Sequence, residues 1–246
     1  MQALIVIPAR LGATRFPNKP LHLINGKPMI QHVWERAMQA NVGPVVVACG
    51  EEALVDVVKG FGGAAVLTNP DLPSGTDRVY AGYCQYMIEN PQATVDVIVN
   101  LQGDLPFFPP AMLARVLTPL HHKEMDFATL CGLLHDQTKL ADHGTVTVAL
   151  AGQGTEKLRA LYFSRSAIPH GASIYYHHFG VYAYRPDVLK RFVNTPPSPL
   201  EKAESLEQLR ALEQGFLCGV AIIEGEMLEV NVPDDIPPIL DRLAAA

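Results

Sequence analysis

The chain of 246 residues contains no apolar run near 18 residues, so it offers no membrane-spanning helix. No basic segment precedes its short N-terminal apolar run, which argues against a secretory signal. The four cysteines, Cys49, Cys84, Cys131 and Cys218, are scattered and form no Cys-x-x-Cys pair. They read as small buried hydrophobes of a protein kept in a reducing, cytoplasmic compartment, and no Cys/His spacing suggests zinc. His121-His122 sits in a polar link and reads as a solvated pair. Gly-x-Gly-x-x-Gly is absent, and so is a Gly-Lys-Ser/Thr phosphate loop. The most telling absence is acid: no Asp or Glu occurs before Glu35.

That acid-free stretch carries Arg10, Arg15, Lys19 and Lys27, a formal +4 on a chain of net charge −6. A local cationic site on an acidic protein fits a small anionic ligand, not nucleic acid or a membrane surface. Ala3–Pro8 (Ala-Leu-Ile-Val-Ile-Pro) is apolar enough for a buried strand. It leads into a loop of small residues and cations running to Pro20. Such a loop at the carboxyl edge of an open sheet suits a polyphosphate: small residues let backbone N–H groups approach, while Arg and Lys neutralise charge. A solvated basic loop explains the same residues without a ligand.

Beyond the loop, Met29, Ile30, Val33, Trp34 and Ala37 have helical spacing. Strands are expected at Pro44–Cys49, Ala64–Leu67 and Val95–Leu101, and a helix at Glu51–Lys59. A helix from Val79 to about Glu89 would be capped by Ser74 or Thr76. This alternation predicts an α/β protein with a parallel sheet and right-handed crossovers, its ligands beyond the carboxyl ends of the strands. Further on, Pro110–Leu120 reads as a helix and Asp126–Leu134 as a strand. The alternating segments Ala160–Pro169 and His178–Tyr184 suit strands. Pro197–Glu201 opens a helix that buries Leu206, Leu209 and Leu212.

Gln102-Gly103-Asp104 follows the strand at Val95–Leu101 directly. A short carboxylate there is well sited to hold Mg²⁺ against a triphosphate, and Gly103 lets the backbone pass close to a nucleotide. An Asp in a turn before Pro106 is the plain alternative.

Several segments together resemble the sugar-acid cytidylyltransferases, and most closely the 3-deoxy-manno-octulosonate (Kdo) cytidylyltransferase family. They are Pro8-Ala9-Arg10, Thr14-Arg15-Phe16-Pro17-Asn18-Lys19-Pro20, Ile24–Ile30, Ser74-Gly75-Thr76-Asp77-Arg78 and Gln102-Gly103-Asp104-Leu105-Pro106. Further matches are Ala160–Pro169, His178–Tyr184, Leu206-Glu207-Gln208-Leu209-Arg210 and Glu229–Ile236. The resemblance implies a doubly wound, mostly parallel α/β domain spanning the chain, like other nucleotide-diphospho-sugar transferases. A small annex sheet around residues 155–195 would pair two subunits and cover the sugar. It implies that Kdo reacts with CTP to give CMP-Kdo and pyrophosphate for lipopolysaccharide biosynthesis, with Mg²⁺. Activation of a related sugar acid, such as 8-amino-Kdo or a sialic or pseudaminic acid, remains a rival, as does nucleotide binding with little turnover.

By the same resemblance, Arg10, Arg15, Lys19 and Asp104 carry the chemistry. Pro8, Ala9, Arg10, Thr14, Arg15, Lys19, Ser74, Gly75, Arg78, Gln102 and Gly103 bind the nucleotide, with Arg78 near the phosphates. Arg165, His178, Tyr182, Glu207 and Gln208 face the sugar acid. Asp104 and the residue at position 231 hold the metal. The chain departs from the family at three places. Leu105 stands for the usual Glu. Residues 142–148 lack the family's Asn and Lys. Asn231 stands where the family pattern Val-Asp-Thr-Pro-Glu-Asp-Leu has its first Asp.

Overall fold

The computed structural model describes residues 1–12, 16–142, 144–155, 157–225 and 227–245. The chain forms two compact units, Met1–Leu113 with Glu226–Ala246, and Ala114–Gly225.

The first unit is built on β1 (Ala3–Ala9), whose seven residues are all buried. A short 3-10 turn at Lys19–Leu21 and a two-residue hairpin, β2 (Leu23–Ile24) with β3 (Lys27–Pro28), follow. Then come α1 (Met29–Gln39), β4 (Val45–Cys49), α2 (Glu52–Gly60), β5 (Ala64–Leu67), α3 (Gly75–Glu89) and β6 (Val97–Asn100). All four main strands are parallel, in the order β5-β4-β1-β6. The chain therefore runs outward from β1 to β5, then returns through α3 to the other side of β1. That reversal puts a topological switch point between β1 and β6, where open α/β sheets bind ligands. Continuous Val/Ile/Leu runs are what strands buried on both faces require.

Glycine sets the spacing on this sheet. A methyl group on Gly82 of α3 would stand 2.6 Å from the Ala48 Cβ and 3.2 Å from Val6 Cγ1. Helix and sheet thus meet at a distance that any larger residue would widen.

Two expectations at the edges of elements need correction. The helix expected at Pro110–Leu120 is only α4 (Met112–Arg115) followed by a 3-10 turn at Thr118–His121. Pro119 supplies no N–H, so an unbroken helix through it would lack a hydrogen bond. The helix expected from Val79 starts four residues earlier, because Ser74 accepts from the Asp77 backbone N–H and caps it there.

The second unit holds β7 (Phe127–Leu133), β8 (Thr147–Ala151), β9 (Arg159–Ser164), β10 (Tyr176–Tyr184), α5 (Pro186–Val193), α6 (Pro199–Glu204), α7 (Leu209–Glu213) and β11 (Cys218–Ile222). Its strand order is β10-β7-β11-β9-β8, antiparallel except for β11 beside β7. Strand β8 begins at the end of the segment that departs from the family, and neither it nor β11 was expected. The single helix expected after Pro197 is two helices. Ser205 takes a left-handed φ of 54° and ends α6. Arg165 donates from Nε to the Glu204 carbonyl and from Nη2 to the Ser205 carbonyl, satisfying groups that a continued helix would have used. Leu206 and Leu209 are buried as expected, while Leu212 is only half-buried.

In the first unit, the tail resumes after residue 226. Leu228 forms an antiparallel bridge with Phe107, and α8 (Ile236–Ala245) follows. Val230, Ile236 and Ile239 pack with Phe16, Ile24 and Met29 in one apolar cluster. No helix among the described residues is long and apolar enough to cross a membrane. Cys49, Cys131 and Cys218 are buried and Cys84 half-buried, all as free thiols. Burial pushes the Cys49 and Cys131 thiols up to about 12, so both stay protonated.

Candidate functional site

The switch point opens into a cleft of about 300 Å³. Pro8, Ala9 and Arg10 line it from the end of β1, and Gln102, Gly103 and Asp104 from the loop after β6. Ser74, Gly75 and Arg78 come from the start of α3, Lys19 from the 3-10 turn, and Asn231 from the returning tail. These residues, scattered over the sequence, are thus brought to one place. Thr14 and Arg15 lie outside the described residues. Phe16, Pro20 and Leu72 also line the cleft and were not singled out from the sequence.

The polar groups are ordered by a chain of contacts. Gln102 Nε2 donates to Asn100 Oδ1 at 2.8 Å, and Asn100 Nδ2 donates to Thr76 Oγ1 at 3.3 Å. Asn100 is fully buried, so this chain satisfies a group that would be costly to leave alone. It also fixes Gln102 against the first turn of α3, whose backbone N–H groups and dipole favour an anion. Glu51 accepts from the Leu11 backbone N–H at 3.1 Å and so ties down the loop just past β1. Arg10 itself is exposed.

Arg78 lines the cleft but is only 2% exposed. Its Nη1 donates to Thr68 Oγ1 and the Asn69 carbonyl, its Nη2 to the Pro70 carbonyl. Most of its fork therefore holds the 68–70 turn, and through that turn the wall of the cleft.

Lys19 belongs to a stretch without acid, yet its side chain is only 16% exposed. Its Nζ donates to Asp104 Oδ2 at 2.7 Å and to the Val230 carbonyl at 2.8 Å. Asp104 is thereby held from one side only. Its other oxygen, Oδ1, is buried with no hydrogen-bond partner among the described residues. A buried carboxylate oxygen without a donor is an arrangement that a divalent cation would complete. Asn231 offers a neutral carbonyl oxygen in the same cleft. The residues present therefore fit a magnesium ion that shares its ligands with phosphate and water. Glu229 opens the C-terminal matching segment, where the resemblance gives it no role; its carboxyl lies within electrostatic reach of Asp104 and Lys19 and beside the Asn231 side chain. It keeps contact with solvent. Desolvation and the nearby Asp104 raise its pKa, while the adjacent Asn231 side chain and Lys19 pull it down.

In the second unit, the residues expected at the sugar fall into two groups. His178, Tyr182 and Glu207 are neighbours: the His178 and Tyr182 ring centroids are 5.5 Å apart, and burial, then the Glu207 charge, raise the Tyr182 pKa. Tyr182 is therefore a neutral phenol. Glu207 also faces Arg210, whose Nη2 is 3.7 Å away. The Nε2 of the buried Gln208 has no partner among the described residues, a donor left for a ligand. Arg165 is set apart by its bonds to Glu204 and Ser205.

His178 is buried, with Phe163 edge-on to its ring at 4.8 Å between centroids. The Thr129 hydroxyl has one proton, which goes to the Val181 carbonyl at 2.8 Å. Thr129 Oγ1 lies 3.0 Å from His178 Nε2 and also faces the Phe179 carbonyl; with the hydroxyl proton on a carbonyl, the tautomer that fits has Nε2 protonated and donating. Burial, then the neighbouring His177, lower the His178 pKa from 6.5 to about 3. The unfolded chain takes up this proton first, so its contribution is fully present above about pH 6.5 and is lost as pH falls toward 3. The slope from this one group is at most about 1.4 kcal/mol per pH unit. Melting curves of wild type and His178→Phe should therefore diverge between pH 6.5 and 4, wild type falling faster. Parallel pH dependence in the two proteins would rule this out.

Comparison with known proteins points the same way. The family described as cytidylyltransferase has a sequence model that matches residues 4–224. The chain is similar to the 3-deoxy-manno-octulosonate cytidylyltransferase of Methylorubrum populi, at 46% identity over 95% of this chain and 93% of that one. It is 47% identical to the protein of the same name from Parvibaculum lavamentivorans, over 98% of this chain and 92% of that one. A solved structure of CMP:2-keto-3-deoxy-manno-octonic acid synthetase complexed with CTP superposes with a TM-score of 0.88 at 38% identity, covering 100% of this chain and 99% of the other. The chain belongs to the cytidylyltransferase family.

Proposed function

We propose that the protein activates 3-deoxy-D-manno-octulosonate with CTP, giving CMP-Kdo and pyrophosphate. The observation that carries this reading is the switch-point cleft, in which Lys19, Arg10 and the first turn of α3 surround Asp104. The anomeric hydroxyl attacks the α-phosphorus, its proton is lost, and the bond from that phosphorus to the bridging oxygen of pyrophosphate breaks. Such transfer needs positioning and charge neutralisation, with no covalent nucleophile on the protein.

In this reading Arg10 and Lys19 bind the triphosphate, and Arg15 is assigned the same task. Gln102, held by Asn100, and the capped start of α3 position the nucleotide. Asp104 and Asn231 would hold Mg²⁺, which when bound neutralises triphosphate charge. Glu207, Gln208 and Tyr182 provide acceptor and donor groups suited to a polyol. We also assign the second unit's sheet to pairing of two copies of the chain, and the product to lipopolysaccharide synthesis in the cytoplasm.

Pyrophosphate release with Kdo should be fastest with CTP and at least about tenfold slower with UTP, ATP or GTP, since one well-placed polar contact to a base is worth about 1.4 kcal/mol. A panel of sugar acids assayed with CTP should rank Kdo first. Equal rates with UTP would overturn the cytidine assignment. A faster rate with another sugar acid would reassign the acceptor.

A further inference from the structure

We propose that Glu229 supplies the negative charge that Asn231 does not, so that Asp104 and Glu229 together hold the divalent cation of the nucleotide complex while Asn231 adds a neutral oxygen. This rests on reading the cleft as a metal–CTP site.

The geometry of the returning tail carries the argument. Leu228 and Val230 both pack into the apolar cluster with Phe16 and Met29. In an extended segment the intervening residues point the other way, so Glu229 and Asn231 share the opposite face. The segment is clamped in register. Leu228 N–H donates to the Phe107 carbonyl and Val230 N–H to the Asp104 carbonyl, each at 2.9 Å. Lys19 Nζ holds the Val230 carbonyl at 2.8 Å, between the two side chains in question. Exchanging charge between positions 229 and 231 therefore keeps it on one face of one strand, facing the same partner.

The charges do not balance without a cation. Asp104 and Glu229 are two carboxyl groups within electrostatic reach of each other and of a single ammonium, Lys19. That ammonium is already committed to Asp104 Oδ2 and the Val230 carbonyl. Asp104 Oδ1 remains buried without a donor. Like charges placed together around an unpartnered oxygen are unfavourable unless something positive joins them. A structural ion pair would need one carboxylate, not two. Magnesium beside a triphosphate calls for one or two protein carboxylates, which matches this set.

The test measures metal binding without turnover. Mn²⁺ is titrated into protein with CTP and no sugar acid, and free ion is followed by electron paramagnetic resonance against a CTP-only control. Wild type should hold Mn²⁺ more tightly than CTP alone does. Glu229→Gln should weaken that extra affinity at least about tenfold, and adding Asn231→Asp to Glu229→Gln should restore it. Glu229 is solvent-exposed, so the variant should fold, as a thermal melt will verify. If Glu229→Gln binds Mn²⁺ like wild type while Asp104→Asn does not, Glu229 is no ligand and the metal reading of Asp104 survives. If neither variant alters Mn²⁺ binding, both readings fall.

Discussion

Lys19→Ala is expected to slow pyrophosphate release about ten- to a hundredfold and to lower stability as well. The loss of rate follows from removing a charge-assisted contact to phosphate, worth about 1.5–3 kcal/mol. The loss of stability follows from what Lys19 does in the free protein. It bridges Asp104 and the Val230 carbonyl and so ties the loop after β6 to the returning tail. Their side chains are 16% and 22% exposed, so this is not a freely screened surface pair. Without the ammonium, Asp104 has two oxygens without donors and faces Glu229 with no counter-charge. A cost of about 1–3 kcal/mol is reasonable for leaving such a group unsatisfied. The double variant Lys19→Ala/Asp104→Asn separates the two effects. It should recover part of the stability, because the stranded charge is gone, and turn over no faster than Lys19→Ala. Wild-type turnover in Lys19→Ala would mean that the cation serves only the fold. An unchanged melting temperature would mean that the bridge contributes nothing without ligand.

The parts of this molecule that could be read from sequence are those governed by short-range pattern. The uninterrupted apolar runs of β1, β4 and β6 announce strands buried on both faces, whereas β5, at the sheet edge, buries only Val66. Their alternation with helices fixes a parallel order, and hence the switch point. Ser74 and Gln102 were legible because one caps a helix and the other closely follows a strand, and Lys19 because it sits in an acid-free cationic loop that matches the family. What could not be read depends on partners far along the chain. Arg78 advertises a charge, and nothing in its neighbourhood says that its fork is occupied by Thr68 and the carbonyls of Asn69 and Pro70. The end of α6 at Ser205 depends on Arg165, 40 residues away. Lys19 looked free because its acid, Asp104, is 85 residues later. Glu229 stands outside the family pattern that begins at Val230, and only the hydrogen bonds of Leu228 and Val230 to Phe107 and Asp104 bring it near Asp104.

Among the glycines that line the cleft, Gly103→Ala should be the most damaging single-methyl change. A Cβ built on Gly103 lies 2.6 Å from the Pro8 carbonyl oxygen, with Ile30 Cδ1 and Ile7 Cγ2 at 3.6 Å. The close atom is backbone in a buried strand, so it cannot rotate away as a side-chain tip would. Pro8 also pairs in register with Ala48, which ties its position to β4. Either β1 or the 102–104 loop must move, and overpacking of this kind costs about 1–3 kcal/mol. The shift falls between the two edges of the switch point, on the residue next to Asp104. A displacement of about 1 Å at a positioning group is enough to cost roughly a hundredfold in rate. Turnover should therefore fall by about that factor, together with a lower melting temperature. Gly60→Ala is the control: it lies at the end of α2 with nothing within 4 Å of the added methyl, and should leave rate and stability almost unchanged. If Gly103→Ala melts and turns over like wild type, the loop and β1 are not packed as tightly as this contact requires, and the claim that Gly103 sets the geometry of Asp104 fails.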